Sequence, residues 1–137
     1  MKVIFGEIEI STEARKQLID ITGRVERIVN DSGIEDGICL IYSLHSTTAI
    51  IVNEHESGLM DDVLKKIAAD YPHGGGWRHN RVDDNADAHL ASIFTGSSKM
   101  LPVKAKQLVR GTWQNIFFLE LDGPRVGRRI IVEILGK

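Results

Sequence analysis

Apolar positions recur along this chain with two periods, one of two residues and one between three and four. Val3, Phe5 and Ile8, Ile10 flank Gly6 in a strand-like run, and the glycine suggests a bulge. From Ser11 to Gly33 two readings stand. Ala14, Leu18, Ile21, Val25 and Ile28 are spaced for one long helix. Thr22-Gly23 interrupts that helix, however, and QLIDI also reads as a strand. The preferred reading is strand then helix, with Thr22 as N-cap, an end near residues 30–32 and Gly33 as the stop. Ile38 to Leu44 reads as a strand buried on both faces, and Thr47 to Val52 as a half-buried one.

Leu59, Met60, Val63, Leu64, Ile67 and Ala68 form a helical stripe that ends before Pro72. Asp61–Lys65 and Asp62–Lys66 are spaced to pair on its exposed face. PHGGGW follows as a loop. A further helix is predicted from about Ala86 to Thr95, capped by Asp84 or Asn85 and stopped by Gly96. Strand-like runs close the chain at Lys99–Val103, Trp113–Leu121 and Arg128–Leu135, with a turn at Asp122-Gly123-Pro124. The mixed order predicts an α+β fold, with about seven mostly antiparallel strands and two to three helices.

Composition narrows the function classes. A chain of 137 residues suits one domain spanning residues 1–137. A net charge of −2 leaves no basic footprint for nucleic acid. The lone Cys39 excludes an intramolecular disulfide, which fits a reducing compartment. Two glutamates within the first ten residues argue against a signal peptide, and no apolar run could span a membrane. A cytoplasmic protein is expected.

Candidate chemistry concentrates in HNRVDDNADAH, residues 79–89. His89 falls in the first helical turn on a face with Ala86 and Ile93, where the helix N-terminus favours the neutral, metal-binding imidazole. The plainer alternative is a packed histidine bonded to a carbonyl. His45, at a strand end in SLHSTTAI, can face a cleft with its ring oriented by Ser46 or Thr47. With His79 these histidines could form a three-ligand metal site with one open position, although no short motif enforces it. His55 and His73 are weaker candidates. Asp83 and Asp84 could hold a divalent ion or simply serve as caps. Glu54 is a candidate general base or partner of a histidine. Arg128 and Arg129 point to opposite faces of a strand, so at most one reaches a given phosphate. Trp113 reads as core or interface packing.

LHSTTA followed by NE, then HN, NADAHL and GSS, then LPV, GTWQ and GRRI, in this order, resemble the YjbQ-like family, also called the secondary thiamine-phosphate synthase family. The resemblance runs from Gly6 to Gly136 and is most specific from Ser98 through LPV to GTWQ. Lys106 departs from it, standing where the pattern has glycine, in a turn between strands. The resemblance implies a two-sheet sandwich that forms homotrimers, with histidines near a subunit boundary and often a bound metal. Carried over, His45, His79 and His89 are the metal ligands, with Glu54 and Asp87 nearby. Glu54 and His89 are the catalytic candidates; Arg129, then Arg128, with Ser97 and Ser98, are the phosphate contacts. Zinc is the first expectation for the metal, and magnesium accompanies a diphosphate substrate. The implied activity joins a pyrimidine diphosphate to a thiazole phosphate and releases pyrophosphate. A metal-dependent hydrolase of a small phosphorylated substrate and a non-catalytic trimeric metal- or anion-binding module are the alternatives.

Overall fold

The computed structural model describes residues 1–137. In chain order the strands are β1 (Lys2–Ile10), β2 (Gln17–Asp20), β3 (Gly37–Ser43), β4 (Thr48–Asn53), β5 (Ser98–Lys104), β6 (Gln107–Leu108), β7 (Asn115–Glu120) and β8 (Arg128–Gly136). Between them lie helices α1 (Thr22–Ser32), α2 (Ser57–Asp70) and α3 (Ala86–Thr95), and one short 3-10 turn at Arg78–Arg81. A five-stranded sheet in the order β1-β8-β3-β5-β6 faces a three-stranded sheet in the order β2-β7-β4. Every pairing is antiparallel. This is the expected α+β sandwich, with the two-residue β6 as the strand that periodicity did not reveal.

Alternation builds the core. Ile8, Ile41, Leu101 and Ile130 of the larger sheet meet Ile50, Ile116 and Phe118 of the smaller one, and α1 adds Val25 and Val29. The opposite face of the smaller sheet, with Ala49, Leu119 and Leu121, is covered by Ile67 of α2 and by Ala88 and Ala91 of α3. Burying each large aliphatic side chain contributes roughly 1.5–3 kcal/mol. The outer face of the larger sheet has no such cover. Val3 (57%), Phe5 (65%) and Met100 (60%) are exposed there, with Ile38 and Tyr42 beside them. β3 is therefore buried on one face only, not on both.

Several local expectations change. Gly6 pairs in register with Val132, so no bulge forms; a Cβ at Gly6 would lie 2.9 Å from Ile28 Cγ2, and the glycine serves close packing of α1 on β1. The strand-then-helix reading of residues 11–33 holds, with Gly33 as the left-handed stop at φ 74°. Thr22 is not the cap, because Asp20 Oδ1 accepts from both its N–H (2.9 Å) and its hydroxyl (2.6 Å). Glu56 caps α2 by accepting from Leu59 N–H, and Lys66 pairs with Asp70 instead of Asp62. Asn85 turns to Asp122 (2.9 Å), leaving Asn80 Oδ1 to accept from Ala86 N–H at the start of α3 (3.1 Å). Trp113 is 71% exposed, so it is not core.

The departure at Lys106 has a visible cost. Lys104 pairs with Gln107, and both intervening residues take positive φ, Ala105 at 50° and Lys106 at 66°. A two-residue hairpin of this kind favours glycine. Lys106→Gly is expected to stabilise the fold by about 0.5–1 kcal/mol, relief of left-handed strain outweighing added freedom in the unfolded chain. A denaturation midpoint that stays put or falls would show that the turn carries no such strain.

Candidate functional site

His45 lies in the link between β3 and β4. Ser43 and Thr48 share a hydrogen bond across the base of this link, and Leu44 N–H donates to Arg129 O at the start of β8 (3.3 Å). The imidazole Nε2 accepts from the Arg129 backbone N–H at 2.8 Å. In the neutral ring the proton therefore sits on Nδ1. Orientation comes from Arg129 and not from Ser46 or Thr47; Thr47 Oγ1 instead accepts from Arg128 Nη2 (3.0 Å). Burial holds the His45 pKa below the usual histidine range; the Arg128 and Arg129 charges add to this and Glu120 opposes it. The sign follows. A depressed imidazole contributes fully above its ordinary pKa of about 6.5, and the contribution is lost as pH falls through the folded value. A ring-nitrogen NMR titration should therefore place the His45 midpoint below about 6.5 and find the Nδ1-protonated tautomer above it. A midpoint at or above that value would contradict the bond to Arg129.

α3 presents His89. Ser92 and Ile93 follow on the next turn of the same face. These three residues meet the His45 link across a cleft of about 470 Å3, which Ser46, Gly96 and Ser97 also line. The cleft lining includes no carboxylate. On its other side His89 meets His79, with ring centroids 4.7 Å apart and planes at 77°. Those two rings, with Trp77, Arg78, Ala86, Leu90 and Ile93, line a second cavity of about 500 Å3. His89 and Ile93 form the wall between the two spaces.

The three expected histidines thus occupy one region as two neighbouring pairs, linked through His89. Nowhere do three histidine, cysteine or carboxylate groups gather as a metal site. The residues present fit a resident zinc only in part: two imidazoles adjoin, and Nε2 of the third already accepts a hydrogen bond.

The expected acids lie elsewhere. Asp87 is buried and turned away, paired with Arg15 Nη2 (3.0 Å) and Lys16 Nζ (3.0 Å). Burial pushes the Asp87 carboxyl up, but Lys16 and Arg15 outweigh it and hold the group below the usual range. Asp83 accepts from Asp84 N–H, and Asp84 meets His73 Nε2 at 3.1 Å, so both serve the loop. Glu54 borders neither cavity.

The arginines do split across the strand. Arg128 is buried against Glu120 (2.6 and 2.8 Å), while the Arg129 side chain is exposed and paired with Glu7. Ser97 lines the cleft and Ser98 does not. No motif marks Trp77, Arg78, Ser92 or, beyond its place on the His89 face, Ile93. Helical spacing from His89 points to the last two, whereas nothing in the chain marks Trp77 or Arg78 before the loop folds.

The family YjbQ, described as UPF0047 protein YjbQ-like, matches residues 6–137. The chain belongs to the YjbQ-like family. A UPF0047 protein from Archaeoglobus fulgidus is similar to this YjbQ-like chain at 46% identity over 129 residues, covering 94% of the chain and 99% of the relative. The Bacillus subtilis UPF0047 protein YugU is 35% identical, with 94% and 97% covered. A solved YbjQ-like protein of unknown function from Sulfolobus solfataricus shares the fold at a TM-score of 0.98 and 55% identity, with 99% of each chain covered. No helix of the YjbQ-like chain is long and apolar enough to cross a membrane.

Proposed function

We propose that the protein acts on a small phosphorylated molecule in the cleft between His45 and His89, as a transferase of the thiamine-phosphate synthase type. One observation carries this reading. His45 and His89 face a cleft with Ser46 and Ser97 hydroxyls and no lining carboxylate, so a phosphate meets hydrogen-bond donors without like-charge repulsion. The coupling reaction suits such a site. Pyrophosphate leaves as positive charge develops on the pyrimidine methylene, and the thiazole nitrogen attacks, needing position more than a base. The ring N–H of His89 donates to the departing oxygen, while the Nδ1–H of His45 and the serine hydroxyls orient the phosphates.

The hydrolase alternative is less well served, because Glu54 does not border the cleft. Zinc would draw on His79 and His89, magnesium on the oxygens of the substrate's diphosphate, and either would supply positive charge for the phosphates. A homotrimer belongs to the same proposal, supported by the exposed apolar face of the larger sheet.

The test mixes purified protein with the pyrimidine diphosphate and the thiazole phosphate, with and without magnesium. Thiamine phosphate and pyrophosphate in equal amounts are expected. Phosphate release without coupling would mean a hydrolase. Saturable binding without turnover would mean a binding module, and either result overturns the transferase reading.

A further inference from the structure

The second cavity differs in chemistry from the cleft it adjoins. Trp77, Leu90, Ile93 and the small Ala86 supply an apolar lining, and Trp77 is fixed in place because its Nε1–H donates to Pro72 O at 3.1 Å. Arg78 lies on the same wall and makes no ion pair, leaving a guanidinium free to stack on a π-system. Apolar surface with one oriented indole suits a flat ring better than a flexible chain, since stacking adds to simple burial. The cavity adjoins the hydroxyl-lined cleft across His89 and Ile93, which border both.

We infer that the two spaces bind one ligand in two parts: a planar aromatic or heteroaromatic ring lies against Trp77, and its phosphate lies in the cleft beside Ser46 and Ser97. This rests on the phosphate reading of the cleft and adds Trp77 as the residue that selects ringed phosphates over acyclic ones. His89 stands at the junction, beside the atoms that join ring to phosphate.

Phenyl phosphate, glycerol phosphate and phenol are the probes, with binding measured by calorimetry and by Trp77 fluorescence in a Trp113→Phe background. Phenyl phosphate is expected to bind at least about tenfold more tightly than glycerol phosphate and to quench Trp77. Trp77→Leu should abolish that preference while leaving glycerol phosphate affinity unchanged, and Ser97→Ala should weaken both phosphates but not phenol. Equal affinity for the two phosphates, or an equal loss of both in Trp77→Leu, overturns the ring subsite and leaves the phosphate reading standing. Phenol that quenches Trp77 in a protein indifferent to either phosphate keeps the ring subsite, and it is the phosphate reading that falls.

Discussion

Glu120→Ala is expected to cost roughly 3–5 kcal/mol of stability, the largest single-residue loss predicted for this fold. Glu120 lies on β7 and points between the sheets, with its side chain fully buried; that of its partner Arg128 on β8 is 8% exposed. Arg128 Nε reaches Oε1 at 2.8 Å and Nη2 reaches Oε2 at 2.6 Å. Thr12 Oγ1 donates to Oε1 (2.8 Å), and the Leu121 and Asp122 N–H groups donate to Oε2 (both 3.1 Å). Truncation strands a buried guanidinium and two donors, Thr12 Oγ1 and the Asp122 N–H, while Leu121 N–H keeps Thr47 O (3.1 Å), which is why the loss exceeds that of an ordinary core change. At this chain length the melting temperature should fall by about 10–15 °C. The double change Glu120→Met with Arg128→Met should cost less than Glu120→Ala, because no charge is left unpaired.

The pH dependence has the matching sign. Burial pushes the Glu120 carboxyl up, but Arg128, Thr12 and the Asp122 N–H outweigh it and hold the group below the usual carboxylate range. Its stabilisation is therefore complete above the ordinary glutamate pKa of about 4.3 and disappears as pH falls through the depressed folded value. Denaturant titrations from neutral pH into acid should show wild type losing more stability than Glu120→Ala. A truncation cost below about 1 kcal/mol would place the pair among weak surface bridges.

The largest functional effect is expected at His89. His89→Ala should lower turnover by about 10²-fold or more, the range for loss of a positioned acid or base. The residue borders both spaces and touches His79, so its removal takes the proton donor and the dividing wall together. Stability should change by no more than about 1 kcal/mol, since the ring is half-buried and truncation leaves no deeply buried group unpaired. His73→Ala is the comparison. His73 bonds Asp84 in the glycine loop and borders neither cavity, so turnover should stay near wild type. Equal activity in the two variants would remove His89 from the chemistry.

Much of the fold was legible in the chain. Period-two runs became the strands, and the α2 and α3 stripes became helix faces, because alternation and helical spacing are local properties of a backbone that must bury one side. The caps were less legible. Asp20 and Asn80 accept helix-start N–H groups where Thr22 and Asp84 or Asn85 were expected, and Glu56 caps α2, for which the chain marked no cap. Adjacent polar residues compete for one donor, and the tertiary pull of Asp122 on Asn85 decides the winner. Among the site residues, His45, His89 and Ser97 were marked by motif, while Trp77 and Arg78 were not, because their place depends on how a glycine-rich loop folds back over α3.

By itself the sequence determined the α+β class, the helix stops at Gly33 and Gly96, membership of the YjbQ-like family, and the opposite faces of Arg128 and Arg129. Only the tertiary structure decided which face each arginine met, Glu120 within the core or Glu7 at the surface. It alone turned Asp87 away from His89, aimed His45 Nε2 at a backbone N–H, and arranged the three histidines as two pairs sharing one ring. The reason is range. Periodicity and capping act over a few neighbouring residues, whereas the partner of a buried charge or imidazole comes from a strand or helix far along the chain, and desolvation lets it settle only where such a partner waits.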